Sequence, residues 1–188
     1  MEHDPAHILE QYIAGKDQGE YQILEAIYER SAEVEFEINS TDITFPSKII
    51  GNRDIAKILS ADFNEKYEKI KTYYLSKKIF DKLNILEQPW LVVMKEIGNE
   101  MTRVGSGYYN WKFRINNNEL KIIKHKIYIH TMLELHDAQS TQLQEIQENL
   151  EYPWVGCHAT ISVLKGYGNL ADITNYLIKQ SNCPAESL

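Results

Sequence analysis

A single histidine stands on an apolar strand face in the second half of the chain. Between residues 120 and 133, alternate positions share one face, which carries Ile123, His125, Ile127, Ile129 and Thr131. Burial on this face would lower the pKa of the His125 imidazole from its usual ~6.5 and leave a neutral ring. Such a ring can act as a general acid or base, or it can be a core histidine with a satisfied hydrogen bond.

Aromatic residues and glycines share one face of the preceding strand. Between residues 103 and 115 this face carries Gly105, Gly107, Tyr109, Trp111 and Phe113. Two glycines leave room beside three aromatic rings, and that room suits either an apolar ligand or a helix lying close against the sheet.

The other reactive side chains form no compact motif. His3 and His7 share a helical face and could bind a metal together with Asp4 or Glu10, but such a pair at a chain terminus is usually incidental. Cys157 precedes His158, but adjacent residues seldom meet in the geometry that a thiol nucleophile needs. Cys157 and Cys183 fit no paired zinc or redox spacing, and we expect reduced thiols. The sequence predicts no metal site and no cofactor.

Hydrophobic periodicity predicts helices interleaved with short strands, followed by a long meander. Apolar residues recur at helical spacing over residues 5–15, 21–31 and 55–63. Short strands are predicted at residues 33–38, where three glutamates should face water, and at residues 43–45. Four β-rich runs, predicted to form an antiparallel sheet, cover residues 70–80, 90–97, 103–115 and 120–133. This order indicates an α+β fold in which helices cover one face of a curved sheet.

Composition excludes several classes of partner. The chain has 188 residues, of which 43% are hydrophobic, and this is enough for one core. A net charge of −7 argues against binding to the phosphate backbone of a nucleic acid. The sequence contains no run of 18 apolar residues and does not begin like a secretory signal, so we expect no membrane association and a cytoplasmic location.

The succession of elements over about residues 5–133 resembles the nuclear transport factor 2 superfamily, which includes SnoaL-like polyketide cyclases, ketosteroid isomerases and dehydratases of the scytalone type. The matching segments are EQYIAGKD, IYERSAEVEFEI, PSKIIGNRDIAKIL, GSGYYNWKF and LKIIKHKIYIH. The resemblance implies a cystatin-like cone, in which a curved antiparallel sheet wraps around three N-terminal helices. Activity in such folds depends on a few pocket residues.

A C-terminal segment extends beyond the resemblance. Residues 136–150 show a helical stripe, and residues 161–178 form an apolar helical pair that is too short to hold a core alone. We predict a cone domain at residues 1–135 and a helical extension at residues 136–188 that packs on it. Four apolar residues of the extension should dock on the open mouth of the cone or on the outer sheet face: Trp154, Leu164, Tyr176 and Leu177.

The resemblance also guides the prediction of pocket residues. Ketosteroid isomerases are similar in having a tyrosine at Tyr12, but Phe36 stands where their catalytic aspartate would be, so that mechanism is excluded. Scytalone-type dehydratases pair histidines with carboxylates, a role to which His125 is the nearest match. The predicted lining of the ligand pocket is Tyr12, Tyr28, Phe36, Trp90, Tyr109 and Trp111, with His125 as the candidate catalytic residue.

Three functions remain open at this stage. The first is binding of an apolar or aromatic small molecule in the cone. The second is a lyase, isomerase or cyclase that uses His125 as general acid or base. The third is a non-catalytic dimeric scaffold, because Tyr108, Tyr128 and the outer side of residues 70–80 would give a homodimer an aromatic surface.

Overall fold

In the computed structural model, which describes residues 4–79 and 82–180, the N-terminal helices form one layer. They are α1 (Pro5–Asp17), α2 (Tyr21–Ile27), α3 (Asn52–Ala56) and α4 (Asp62–Asn64), and a π-helical turn (Lys57–Ala61) joins the last two. Helix α1 begins as predicted: the Asp4 carboxylate accepts a hydrogen bond from the Ala6 amide at 2.9 Å, and Pro5 occupies the first turn.

Six strands form one curved sheet. They are β1 (Tyr28–Ile38), β2 (Lys48–Ile50), β3 (Tyr67–Tyr74), β4 (Asn84–Glu96), β5 (Met101–Asn116) and β6 (Glu119–His136), in the spatial order β2-β1-β6-β5-β4-β3. The predicted α+β class and the antiparallel pairing of β3 to β6 are confirmed. Strand β1 differs from the prediction, because it pairs in parallel with β6.

Two local predictions at the start of the sheet are wrong. Residues 43–45 form no strand, and the strand lies instead at Lys48–Ile50. The apolar side chain of Ile43 is buried within an irregular loop, because burial against the cone outweighs the strand-like composition of this segment. The second helix ends at Ile27, since Tyr28 already pairs with Ile122 of β6.

The glutamates of β1 lie on its exposed side, as expected from the alternation. Ion pairs join Glu33 to Lys48 at 2.9 Å, and Glu35 to Lys124 at 3.1 Å. A third pair joins β1 to Lys126 of β6. The lysines of β6 therefore serve cross-strand pairs on this side of the sheet.

The sheet has a hydrophobic core on each face. On the inner face, Trp90, Val92 and Met94 of β4 pack toward the N-terminal helices. On the outer face, the alternating residues Leu91 and Val93 pack against C-terminal helices. These helices are α5 (Thr141–Glu148), α6 (Cys157–Leu164) and α7 (Ala171–Lys179), with a 3-10 turn at Gly168–Leu170 before the last.

The C-terminal segment reaches both faces of the sheet. Leu164, Tyr176 and Leu177 belong to the outer core, which is one of the two predicted docking places. Trp154 does not dock on either predicted place, because its ring packs on Tyr74 at 4.6 Å between centroids and joins the inner core. The division of the chain at residue 135 remains a prediction.

The free edge of β3 is covered by the chain between α5 and α6. The Tyr74 amide donates to the Pro153 carbonyl at 2.8 Å, and the Val155 amide donates to the Tyr74 carbonyl at 2.9 Å. Tyr73 on the outer side of β3 is fully buried, so this part of the predicted dimer surface is not exposed. Phe80, at the end of that predicted surface, lies outside the described residues.

Two further expectations concern the cysteines and the membrane. Cys157 is in a disulfide, so the expectation of a reduced thiol is wrong at this position. Cys183 lies outside the described residues. In the described part of the chain, no helix combines the length and the apolar character that crossing a membrane requires.

Candidate functional site

The inner face of the sheet and the N-terminal helices enclose a small cavity. Its volume is about 40 Å³, whereas a cavity that holds benzene has a volume of about 150 Å³. Its wall is almost entirely apolar and includes four of the predicted pocket residues: Tyr12, Phe36, Trp90 and Tyr109. Tyr28 and Trp111, although predicted, do not line it. The cone is thus nearly filled by its own side chains.

The space beside the two glycines of β5 is also filled. A Cβ atom at Gly105 would overlap the Met132 side chain, and one at Gly107 would overlap the backbone carbonyl of Tyr128. Both neighbours belong to β6, which carries a bulge opposite Gly107. The glycines therefore serve close packing between two strands, and this packing leaves no room there for a ligand or a helix.

His125 lies behind the cavity in an aromatic cluster. Its ring stacks on Trp111 with centroids 3.7 Å apart, and the rings of Tyr12 and Tyr109 approach it edge-on at 5.2 and 5.0 Å. The side chain is 0% exposed, and this burial holds the pKa of the imidazole well below its usual value. His125 is therefore neutral near pH 7, as predicted, but it does not line the cavity.

One nitrogen of His125 has a polar partner. Nδ1 lies 2.7 Å from the Tyr28 hydroxyl, whose pKa is raised well above its usual value by burial. Nε2 is buried and has no hydrogen-bond partner within the described ranges. Either tautomer consequently leaves one ring nitrogen unsatisfied, which costs free energy in a core.

A buried polar cluster that the sequence prediction missed lies at the end of α1. The Lys16 ammonium donates to Asp17 Oδ1 at 3.2 Å and to Thr72 Oγ1 at 2.9 Å. Asp17 Oδ2 accepts from the Thr72 amide at 2.6 Å and from the Tyr152 hydroxyl at 3.0 Å. Lys16 and Asp17 are each 7% exposed. Lys16 also lines the cavity and is its one charged wall residue among those described.

The helix that carries the π-turn fixes the position of this cluster. The Ser60 hydroxyl donates to the Gly15 carbonyl at 2.8 Å, and the Asn64 amide nitrogen donates to the Lys16 carbonyl at 2.8 Å. Leu59 and Phe63 from the same helix line the cavity. A π-turn often lies at a functional site, because it turns side chains out of regular helical register.

A loop closes the open end of the cone. Residues 39–47 connect β1 to β2, and their side chains Ile43 and Phe45 form part of the cavity wall. The Phe45 ring stacks on Phe36 with centroids 4.5 Å apart and lies 6.3 Å from Phe63. On the outer side of this loop is an open groove of about 500 Å³, which Ile43, Phe45 and Phe63 also line.

The comparisons with known proteins identify the architecture. A provisionally named scytalone dehydratase from Novosphingobium aromaticivorans DSM 12444 is 12% identical, with a TM-score of 0.55 over 69% of this chain and 84% of its own. A nuclear transport factor 2-like superfamily protein from Salmonella enterica serovar Typhimurium LT2 is 10% identical, with a TM-score of 0.51 over 72% and 89%. The chain has the nuclear transport factor 2-like fold.

A third neighbour with this fold is the hexachlorocyclohexane dehydrochlorinase LinA-type3 from Novosphingobium barchaimii LL02. It is 11% identical, with a TM-score of 0.51 over 68% of this chain and 85% of its own. No protein-family model and no curated protein sequence matches the chain. At such low sequence identities, structural similarity shows a common fold, whereas function depends on the residues of the site.

Within this nuclear transport factor 2-like cone, the arrangement expected for a scytalone-type dehydratase is not formed. The polar partner of His125 is a tyrosine, and the buried carboxylate of Asp17 is held by a lysine, a threonine and a tyrosine. Phe36, which the resemblance places where ketosteroid isomerases have their base, lies on the cavity wall. In the part of the chain that the structure describes, no cluster of His, Cys, Asp or Glu is placed to bind a metal ion.

Proposed function

We propose that this protein binds a small, mainly apolar molecule that carries a hydrogen-bond acceptor, in the aromatic cavity of its cone. The observation that carries this proposal is the buried ammonium of Lys16 on an otherwise apolar wall. Lysine is among the residues least often buried, and burying its charge costs free energy even when it is paired. A core with only a packing role would be served as well by an aliphatic side chain.

The donors at the cavity indicate what the ligand carries. An ammonium group has three N–H donors, of which Asp17 and Thr72 accept two. The nitrogen lies 4.4 Å from the centre of the Phe63 ring, a cation–π contact that a ligand oxygen can replace. Trp90, another wall residue, has a buried Nε1 without a partner among the described residues. These donors suit a carbonyl or ether oxygen.

The charge of the cluster favours a neutral ligand. Lys16 and Asp17 already form an ion pair in the interior. A carboxylate ligand would add a second negative charge to a dry site, where desolvation is costly. We therefore expect ketones or ethers on a ring to bind more tightly than acids of the same size.

Binding requires a rearrangement of the wall. A cavity of about 40 Å³ admits few water molecules and no aromatic ring. Phe45 is half-buried and separates the cavity from the outer groove, so its displacement would join the two spaces. Truncating Phe45 should consequently create a site that ring compounds can enter without this rearrangement.

Calorimetry with matched ligands tests the proposal. Acetophenone, ethylbenzene and benzoate should be titrated into the wild type, Phe45→Ala and Lys16→Met. Phe45→Ala should bind acetophenone more tightly than the wild type, and Lys16→Met should lose the preference for acetophenone over ethylbenzene. Leu86→Ala, a truncation at an exposed position outside the cavity, is the control and should change neither. Absence of binding to both the wild type and Phe45→Ala would refute the proposal.

Catalysis through His125 has less support. The imidazole lies behind the cavity wall and is enclosed by Trp111, Tyr12 and Tyr109. A lyase or isomerase that uses this histidine needs a substrate within hydrogen-bond reach of Nε2. If an activity is found, it should survive His125→Gln in a folded protein. Its loss there would restore His125 as the general acid or base.

A dimeric scaffold is the second candidate function. Tyr108 and Tyr128 stack at 4.6 Å between centroids on a part of the outer face where both remain half-buried. A groove of about 710 Å³ runs between this pair and α7. Light scattering at tens of micromolar should then give a dimer in the wild type and a monomer in Tyr128→Ala. A monomeric wild type would exclude the scaffold.

A cytoplasmic location also stays a proposal. The disulfide at Cys157 is of a kind more common in oxidising compartments. Fractionation of cells, with thiol labelling of each fraction, tests the location directly. Recovery from a membrane or secreted fraction would contradict it.

A further inference from the structure

Two spaces meet at the open end of the cone, and three side chains divide them. The inner cavity of about 40 Å³ and the outer groove of about 500 Å³ are both lined by Ile43, Phe45 and Phe63. Ile43 and Phe45 belong to the loop at residues 39–47, which has no helix or strand. A change in this loop alone would therefore connect the cavity with solvent.

Few hydrogen bonds tie the loop to the rest of the described protein. At its ends, the Asn39 amide donates to the Ile129 carbonyl at 2.8 Å, and the Phe36 amide donates to the Ser47 carbonyl at 2.9 Å. Between these ends, Arg103 Nη1 donates to the Asp42 carbonyl at 2.9 Å. The other loop contacts of Asp42 are with its neighbours Ser40 and Thr41.

Arg103 is itself held rigidly. Its Nε donates to Glu96 Oε2 at 2.9 Å, and its Nη2 forms ion pairs with Glu96 and Glu134. The residue is 8% exposed, so its guanidinium is a fixed donor on the sheet rather than a mobile surface charge. Nη1 of this guanidinium is hydrogen-bonded to the Asp42 carbonyl in the middle of the loop.

We propose that residues 39–47 are a gate and that Arg103 is its latch. Release of the Asp42 carbonyl lets the loop swing away, so that Phe45 leaves the wall and a ring compound passes from the groove into the cavity. Arg103 does not line the cavity, and it acts on binding by setting the fraction of molecules whose gate is open. For its ligand, this inference rests on the proposed function.

The size of the effect follows from one hydrogen bond. Arg103→Gln removes a hydrogen bond between a charged donor and the Asp42 carbonyl. This loss should raise the fraction of molecules with an open gate roughly tenfold. Because the apparent dissociation constant equals the intrinsic constant divided by the competent fraction, the affinity for a ring compound should also rise roughly tenfold. Mutations that only destabilise the fold would weaken binding instead.

Two readouts test the latch in Arg103→Gln. The first is the rate at which a thiol reagent labels a cysteine placed at the buried position 43 (Ile43→Cys), which should rise roughly tenfold because labelling needs the open gate. The second is the affinity for acetophenone, which should rise by a similar factor. Arg114→Gln is the matched control, because this arginine forms an exposed ion pair with Glu29 and, among the described residues, no hydrogen bond or ion pair with the loop. It should change neither readout.

The outcomes separate this inference from the proposed function. Unchanged labelling at position 43 in Arg103→Gln overturns the gate, and so does faster labelling with unchanged affinity for a compound that Phe45→Ala binds. Faster labelling in a protein that binds no ring compound refutes the proposed function and retains the gate. If Arg103→Gln does not fold, Arg103→Lys keeps a charge beside Glu134, removes the forked contact, and should give the same direction of change.

Discussion

Removing the Tyr152 hydroxyl tests whether the C-terminal segment stabilises the cone through the buried polar cluster. In Tyr152→Phe the ring and its packing on Tyr73 remain, while Asp17 Oδ2 loses the donor at 3.0 Å and keeps only the Thr72 amide. A hydrogen bond to a buried carboxylate contributes about 1.5 kcal/mol or slightly more to the free energy of unfolding. For a chain of 188 residues this corresponds to a fall in Tm of roughly 3–6 °C.

Tyr167→Phe is the matched control for this measurement. Its hydroxyl donates to the Glu145 carboxylate at 3.0 Å, but this pair is exposed, so water can replace the bond. Thermal unfolding followed by circular dichroism should show a clear fall for Tyr152→Phe and almost none for Tyr167→Phe. Equal shifts in the two variants would refute the argument that burial gives the first bond its value.

Three further perturbations have definite expected outcomes. The pKa of His125 is lowered in the folded protein, so its contribution to stability is present above the unfolded pKa of ~6.5 and is lost as the pH falls. Urea denaturation should therefore show a steeper loss of stability from pH 6.5 to 5 in the wild type than in His125→Gln, and parallel curves would contradict this. Gly107→Ala should lose at least about 2 kcal/mol, because its Cβ overlaps the Tyr128 carbonyl, whereas Gly156→Ala, with no atom within 4 Å of the added Cβ, should be nearly neutral in the same assay. Deleting residues 151–188 uncovers the outer core and should abolish the cooperative thermal transition, since each exposed apolar side chain costs about 1.5–3 kcal/mol, and a soluble product with unchanged Tm would refute this.

The strands of the meander could be predicted because their patterns are local. In β5, aromatic residues and glycines alternate with polar ones from Gly105 to Phe113, and this pattern predicts the inner face correctly. In β6 the predicted face is confirmed only from His125 to Ile129, because two bulges bring Ile122 and Met132 into the inner core in place of Ile123 and Thr131. The parallel pairing of β1 with β6 could not be predicted, because it joins segments about 90 residues apart that have no turn between them. Periodicity describes one strand and not its neighbours.

The candidate site was harder to predict than the fold. Lys16 occupies a position that continues the apolar stripe of Leu9, Tyr12 and Ile13, and this was the one signal that its side chain turns inward. The burial of Ile43 had no periodic signal, because it lies in a loop. The closeness of Met132 to Gly105 depends on strand register and a bulge, neither of which can be deduced from composition.

The segment that covers the edge of β3 is synthesised well after the strand itself. Trp154, which bridges to Tyr74 at this edge, follows it by roughly 80 residues, and at ribosomal speed this is roughly 4–16 s. During that time the nascent chain has a complete β3 sequence but lacks the segment that shields its edge and the helices that cover the outer face. The outer layer of this protein can form only after Trp154 and the helices that follow it have been synthesised, so a nascent chain that stalls before residue 154 presents an open strand edge to other chains.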